Sequence, residues 1–329
     1  MPSYRSAGTF LSLVLTTTLQ AQQVTIGPSE KGLRIEVDGA LFTEYVTKDT
    51  QHPCFHPVIG PGGAGLTREY PPAPGAKVDH PHHSSIWIGH DGINGVNFWY
   101  IGGTTGSIQT TALSDLKAEG NSASFYASSK WVTSDGEPVL RDERHFVITA
   151  LPRGARQIDV KVTFLASEGD VTFRDSKEGT MGIRVAPTMT ASPNKRDQSG
   201  GGGHILTSEG ATDAAAWGTR AKWVAYYGPD PRGQLACITM MDHPANLRHP
   251  TWWHVRAYGL FAANPFGQSD FEAPREDEKA ITIGGRGTKG NFTLARGRSL
   301  TQRYRILLQS GPPNTSQLDS IFTSFQSAH

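Results

Sequence analysis

Nine of the twelve histidines lie in two short windows of the chain, residues 52–90 and residues 243–254. An imidazole titrates close to neutral pH, so it can take up or release a proton during a reaction. It is also a common ligand of zinc. Histidines with purely structural roles would be spread more evenly along the chain. We therefore interpret the two windows as parts of one functional site.

The first window contains an Asp-His-Pro-His-His run at residues 79–83, which precedes a short apolar strand that ends near His90. We predict that His82 and His83 are the catalytic proton carriers. The carboxylate of Asp79 is expected to hold one neighbouring imidazole in a single tautomer. In catalytic histidines, a hydrogen bond at one ring nitrogen commonly sets the protonation of the other.

The second window opens with the same Asp-His-Pro tripeptide, at residues 242–244, and ends at His254. Between the windows, Lys177 and Glu178 follow a predicted strand and could supply a base and an acid. We predict that Glu178 is the catalytic carboxylate that works with the histidines. Two loops of similar composition indicate one shared cleft.

Aromatic and amide side chains accompany the histidines in both windows. This mixture is typical of a sugar pocket, in which aromatic rings stack on the apolar faces of the sugar and polar groups bind its hydroxyls. The predicted substrate-binding residues are Arg68, Asp79, His80, His90, Asn94, Trp99, Lys177, His249, His254 and Asn264.

Three interpretations of the histidines remain open at this point. In the first, they catalyse proton transfer on a carbohydrate. In the second, His80, His82 and His83 bind a divalent metal together with a more distant ligand, because His-x-His places two rings on one side of a strand. Pro81 would interrupt that strand. In the third, the histidines only brace the loops through hydrogen bonds to the backbone.

The elements that must position these residues are predicted to be strands. The chain has 37 glycines and 21 prolines without a repeat, which favours many turns. Residues 156–165 alternate between polar and apolar types, as a half-buried strand does. Asp38-Gly39 separates two further apolar segments and indicates a hairpin. The C-terminal residues 315–327 form the one predicted helix, with a cap at Asn314 or Thr315.

Charge and hydropathy exclude two classes of protein. Lys and Arg number 31 against 30 Asp and Glu, so the chain lacks the basic excess of a nucleic-acid-binding surface. No apolar run is long enough to span a membrane as a helix. Residues 1–21 resemble a signal peptide, which predicts export to the periplasm or the medium. Residues 22–329 are predicted to form a single domain, and a Cys54–Cys237 disulfide is left open.

Several motifs together resemble the PmoA-like family of secreted bacterial proteins, often labelled methane oxygenase. They lie at residues 79–83, 92–99, 177–179, 249–256 and 264–267. The resemblance covers most of the chain. We do not transfer methane oxidation or a copper site to this protein, because a particulate methane monooxygenase subunit is embedded in the membrane and this sequence lacks a spanning helix.

A fainter pattern is similar to the galactose mutarotase-like β-supersandwich. It consists of Gly60-Pro61 near the start, the histidine-rich loops, and a final strand after residues 295–300. This resemblance implies a large antiparallel β-sandwich that binds or transforms sugars, with histidine and a carboxylate as proton carriers. It transfers no specific activity.

The sequence thus predicts an exported all-β protein that acts on a small-molecule or oligosaccharide substrate by hydrolysis, elimination or epimerisation. The alternatives are a carbohydrate-binding protein without catalysis and a metal-dependent enzyme. A divalent metal is the one cofactor that we consider, and the sequence assigns it no definite ligands.

Overall fold

The computed structural model describes residues 22–194, 199–273 and 287–327. The predicted signal peptide, residues 1–21, lies outside them. The strands are β1 (Val24–Pro28), β2 (Gly32–Val37), β3 (Ala40–Val46), β4 (Cys54–Val58), β5 (Ile86–Ile93), β6 (Val96–Asn97), β7 (Ser107–Glu119), β8 (Ser122–Val132), β9 (Pro138–Ala150), β10 (Arg156–Leu165), β11 (Val171–Phe173), β12 (Gly179–Arg184), β13 (His204–Thr207), β14 (Trp223–Pro229), β15 (Leu235–Asp242), β16 (Trp252–Val255), β17 (Leu260–Asn264), β18 (Phe292–Leu294) and β19 (Ser299–Ser310). Two α-helices, α1 (Gln268–Phe271) and α2 (Thr315–Gln326), accompany them.

These strands form two antiparallel sheets. In the first sheet the order is β1-β2-β3-β4-β5-β12-β17-β16, with β6 and β11 also paired to β5 and β18 paired to β11. In the second sheet the order is β13-β14-β15-β19-β10-β9-β8-β7. Neighbouring strands in the second sheet are consecutive in sequence except at β19, which lies between β15 and β10. The prediction of an all-β antiparallel sandwich is confirmed.

The core lies between the two sheets because each contributes one apolar face. In β10 the alternation seen in the sequence is realised, since Ile158, Val160, Val162 and Phe164 are all at most 2% exposed. They belong to one apolar cluster that also contains residues from β2, β5, β12 and β17 in the first sheet. Burial of these side chains contributes the main favourable free energy of folding.

Helix α2 covers the outer face of the second sheet. Its residues Leu318, Phe322 and Phe325 are buried against Trp223 of β14 and neighbouring side chains. The amide of Gln317 donates to the Asn314 side chain at 3.0 Å, which is a normal helix N-cap. The predicted C-terminal helix is therefore confirmed to within one residue at its end.

The two cysteines are buried and free, and they lie in different sheets. Within the described part of the chain, no helix is long and apolar enough to cross a membrane.

Candidate functional site

The outer face of the first sheet forms the floor of the candidate site. In β5, Ile86 and Ile88 point into the core, so Trp87 between them points outward. The strand register then places Trp87 opposite Gly182 of β12, Gly182 opposite Ala262 of β17, and Ala262 opposite His254 of β16. A row of outward-facing residues therefore runs across four strands.

Gly182 in this row makes room for two indole rings. A Cβ atom at Gly182 would lie 2.9 Å from the Trp87 ring and 3.0 Å from the Trp99 ring. The two rings pack on each other with 4.8 Å between centroids, and both residues are almost completely buried. Trp99 was predicted to bind substrate, but its ring lies in the floor beneath the polar groups.

Two arginines converge on one carboxylate at one side of the floor. Arg68 Nη1 donates to Asp79 Oδ1 at 2.7 Å, and Arg184 Nη2 donates to both carboxylate oxygens at 2.9 Å. Arg68 also donates to the carbonyl of His80 at 2.7 Å. Both guanidinium groups are nearly buried. The pair therefore fixes the loop that carries the histidines onto the sheet.

The charges in this cluster shift the pKa values of its members. Burial alone would raise the pKa of Asp79, but the hydrogen bond from His80 and the two arginines outweigh it and hold that pKa well below its usual range. Burial and the neighbouring Arg184 lower the pKa of Arg68 to about 10. Asp79 is thus ionised and Arg68 is charged at neutral pH.

Residues 79–83 form a turn rather than a strand, because the amide of His83 donates to the carbonyl of His80 at 3.1 Å. The turn stacks the rings of His80 and His83, which are 4.9 Å apart and nearly parallel. His83 in turn lies on Trp87 at 5.3 Å. The His82 ring stands almost perpendicular to that of His83 at 4.5 Å. His80 remains exposed, whereas His82 and His83 are buried.

The buried imidazoles are neutral at neutral pH. Burial, the His80 ring and the nearby arginines lower the pKa of His82 to about 3. Burial and the same charges hold the pKa of His83 well below its usual value. Among the described residues, His82 Nε2 is buried and has no hydrogen-bond partner. Such an atom is costly unless a ligand or solvent engages it.

Glu178 lies beside the histidines, just before β12. Its carboxylate forms an ion pair with Lys177, and both side chains are mostly buried. The charge of the Glu178 carboxylate acts on the Tyr100 hydroxyl, and the Tyr100 ring is 4.3 Å from that of His82. Burial and the charge of Glu178 raise the pKa of Tyr100 above its ordinary value. Tyr100 therefore stays protonated beside a neutral imidazole.

The second window reaches this cluster through His254 and the residues that follow it. Tyr258 stacks on His80 with 4.9 Å between centroids and lies under the Arg184 guanidinium, also at 4.9 Å. Burial and the charge of Glu178 raise the pKa of Tyr258 to about 12. The His254 ring is buried, and burial and the charge of Lys177 hold its pKa well below its usual value. Of the second window, His254 thus lies at this cluster, whereas His243 and His249 pack against the C-terminal helix.

We call this group the histidine site. It contains Arg68, Asp79, His80, His82, His83, Tyr100, Lys177, Glu178, Arg184, His254 and Tyr258. The sequence had not singled out Tyr100, Arg184 or Tyr258. Tyr100 directly follows Trp99 in an aromatic pair, which was an available signal. Arg184 and Tyr258 carry no local signal, because their histidine partners, His83 and His80, are 101 and 178 residues away in the chain.

Besides Trp99 in the floor, four predicted binding residues lie outside the histidine site. His90 donates from Nε2 to the Arg174 carbonyl at 2.8 Å and packs against Phe266. Asn94 lies in the turn between β5 and β6 and accepts from the Thr172 amide of β11 at 2.7 Å. These two residues hold backbone segments in place.

The other two also make structural contacts. Asn264 donates to the Ser176 carbonyl at 2.8 Å and so anchors the loop before Glu178. His249 lies 2.7 Å from Asp242 and stacks on Phe322 of α2. Asn264 thus supports the histidine site from behind, whereas His249 is directed towards the C-terminal helix.

No group of three or more His, Cys, Asp or Glu side chains within the described ranges is arranged to hold a metal ion. One nitrogen of the predicted His80–His82–His83 ligand set is already engaged, since Arg184 Nη1 lies 3.1 Å from His83 Nδ1. The His80 and His82 rings are 5.8 Å apart and nearly perpendicular. A metal held by this trio would need a different arrangement of the turn.

Comparison with known proteins gives a family. None of the curated proteins matches the chain. One solved structure with similarity is a polysaccharide lyase, at 10% identity and a TM-score of 0.31, and the match covers 90% of this chain and 34% of that one. The chain therefore spans about a third of that structure. A family model matches residues 32–323, and the protein accordingly belongs to the family described as a family of unknown function, DUF6807.

Proposed function

We propose that the protein is an enzyme that carries out acid–base chemistry on a carbohydrate at the histidine site. The observation that carries this proposal is the contact between His82 and Tyr100. A buried imidazole with a lowered pKa and an unpartnered Nε2 lies against a phenol with a raised pKa. An environment that shifts the pKa values of two neighbouring groups in opposite directions is typical of an acid–base pair.

The roles follow from the protonation states. His82 is neutral at neutral pH, so its Nε2 can accept a proton from the substrate. Tyr100 is protonated and can deliver a proton to an oxygen of the substrate. Glu178, whose charge acts on the Tyr100 hydroxyl, is ion-paired with Lys177.

A carbohydrate is the substrate class that suits the surroundings of this pair. His80 is exposed, Tyr100 and Tyr258 are partly buried, and the three rings surround the buried imidazoles. Their rings can contact apolar faces of a sugar, and the charged side chains among them can bind its hydroxyls. Export, which residues 1–21 predict, would give such an enzyme access to sugars outside the cytoplasm.

The proposal is tested by incubating the full chain with a panel of mono- and oligosaccharides and measuring product. The Tyr100→Phe variant removes only the hydroxyl, and we expect it to lose roughly a hundredfold in rate. Tyr126→Phe is the matched control, because Tyr126 is 44% exposed and lies on β8, outside the histidine site.

Binding of a sugar without any turnover would instead establish the second candidate, a carbohydrate-binding protein. Equal rates for Tyr100→Phe and the wild type would remove Tyr100 from the mechanism.

A further inference from the structure

The contact between Arg184 and His83 fixes where the His83 proton lies. Arg184 Nη1 is 3.1 Å from His83 Nδ1. A guanidinium has donors only and keeps its protons at all relevant pH values. His83 Nδ1 must therefore accept, and the ring hydrogen of the neutral imidazole is on Nε2. His83 is thus a hydrogen-bond donor at Nε2 and has no free basic nitrogen.

The surroundings hold this arrangement in place. Arg184 is held by two hydrogen bonds to the Asp79 carboxylate. The His83 ring is 1% exposed and is stacked between His80 and Trp87. Rotation of the ring would break the contact with Arg184 and both stacking contacts. His83 therefore presents Nε2–H in one direction.

The charge around His82 and His83 distinguishes between possible reactions. Arg68 and Arg184 share one carboxylate, Asp79, so this side of the site carries one net positive charge. Glu178 on the other side is neutralised by Lys177. Hydrolysis of a glycoside passes through a cationic, oxocarbenium-like state, which a net positive environment disfavours. An anionic intermediate is stabilised in the same place.

We propose that His83 donates its Nε2–H to a carbonyl oxygen of the substrate, and that the substrate is a sugar with a carbonyl group next to the carbon that loses a proton. This inference rests on the proposed function and narrows its substrate class to sugars that carry a ketone or a carboxyl group. It selects elimination or epimerisation over hydrolysis among the reactions expected from the sequence.

The first step balances without a cofactor. The C–H bond next to the carbonyl breaks, and its proton moves to His82 Nε2. The electron pair forms a carbon–carbon double bond while the carbonyl pair moves onto oxygen, where His83 stabilises the charge. The enolate then either expels an oxygen substituent, which takes a proton from Tyr100, or is protonated again at carbon. The negative charge that develops raises the pKa of His82 as it accepts the proton.

Arg184 acts as a positioning residue in this proposal, and imidazole NMR tests it apart from any activity. In protein labelled with 15N-histidine, long-range proton–nitrogen correlations report which ring nitrogen carries the hydrogen. We expect His83 to show the Nε2–H tautomer alone between pH 5.5 and 8, values chosen around the ordinary pKa of 6.5. The variant Arg184→Met should give a mixture of tautomers. A neutral Nδ1–H ring or an imidazolium in the wild type would overturn the inference, whether or not the variant folds.

Deuterium exchange tests the substrate class. The full chain is incubated in D2O with three probes: a methyl glycoside with a ring ketone, a methyl uronide methyl ester, and the parent methyl glycoside. We expect deuterium at the carbon next to the carbonyl in one of the first two, none in the parent, and a loss of roughly a hundredfold in His83→Ala.

Hydrolysis of the parent glycoside without exchange in the carbonyl-bearing probes would overturn this inference and leave the proposed function standing. Neither exchange nor product from any of the three probes would count against both.

Discussion

The same tripeptide, Asp-His-Pro, occurs in two places with opposite results. At residues 79–81 it lies on the outer face of the first sheet, where its carboxylate binds two arginines and its imidazole stacks on Tyr258. At residues 242–244 it lies at the end of β15, where the carboxylate is completely buried. One copy builds a polar, partly open cluster, and the other builds a closed structural joint.

The carboxylate of the second copy is bound within its own loop, and the neighbouring histidines pack on the C-terminal helix. Asp242 accepts from the Asn246 side chain at 2.7 Å and from the Thr251 amide at 3.0 Å. His243 packs against Phe325, and His249 stacks on Phe322. The Asp242 carboxylate is therefore fully engaged by groups from its own loop. In the first copy the carboxylate of Asp79 is instead bound by two arginines, Arg68 and Arg184 of β12. A buried imidazole nitrogen without a hydrogen-bond partner among the described residues occurs next to both copies, at His82 Nε2 and at His243 Nε2.

The difference shows that a motif acquires its role from what packs over it. Helix α2 covers the second copy, whereas loops that carry Tyr100 and Tyr258 surround the first. We therefore expect changes in the first copy to alter activity, and changes in the second copy to alter stability.

The largest expected effect is on the rate, and it compares His82 next to the first copy with His249 next to the second. With a sugar that the protein turns over, His82→Gln should lower the rate by roughly a thousandfold, because the proton acceptor is lost. His249→Gln should stay within about twofold of the wild type, a span that corresponds to well under 1 kcal/mol. Steady-state rates of the two variants, with circular dichroism to confirm folding, decide the matter. Similar losses in both variants would break the comparison.

The next largest effect is on stability and concerns helix α2, which covers the second copy. Phe322→Ala removes a buried ring from α2, and we expect a loss of about 3.5 kcal/mol in the free energy of unfolding. Chemical denaturation measures this value. Turnover by the folded fraction should not change, and a specific loss of turnover would place α2 in the site.

Asp242→Asn should have a somewhat smaller effect. The variant removes a buried carboxylate that accepts several hydrogen bonds, and we expect a loss of about 2.5 kcal/mol in the free energy of unfolding. Asp242→Glu is a useful companion, since it keeps the charge but misplaces it. Unaltered denaturation midpoints in both variants would show that the joint contributes nothing to stability.

The smallest effect is the contribution of His52, in the first window, to the pH dependence of stability. Burial lowers the pKa of His52 to about 3, against 6.5 for an unperturbed imidazole. Between these values the unfolded chain binds a proton that the folded protein does not, so stability falls as the pH falls below 6.5. From pH 7 to pH 5, His52 alone should cost about 2 kcal/mol.

The variant His52→Leu isolates this contribution. Urea denaturation at pH 7 and pH 5 should show a smaller difference between the two pH values in the variant than in the wild type. An identical pH dependence in both proteins would mean that His52 is not held neutral in the folded state.

The sequence was sufficient for the fold class because a period of two and a period of 3.6 are local signals. Strand β10 and helix α2 are found where they were predicted. Strand β7 was missed, because it is an edge strand whose side chains are mostly exposed and so show no clear alternation. Strand β17 was missed because it is buried on both faces.

The site was predicted only in part, for a different reason. His249 and His254 are five positions apart, and nothing in the local sequence indicates that the first faces α2 and the second faces the floor of the histidine site. That distinction depends on α2 and β17, which pack against these residues from later in the chain. Arg184 acquires its importance from Asp79 and His83, which lie about a hundred residues earlier.

The most direct test of the histidine site is a titration of 15N-histidine-labelled protein with a sugar that it turns over, or with an unreactive analogue of that sugar. We predict that the imidazole resonances of His82, His83 and His254 shift on binding, while those of His243 and His249 stay in place. Shifts confined to His243 and His249 would contradict the assignment and move the site to the joint beneath the C-terminal helix.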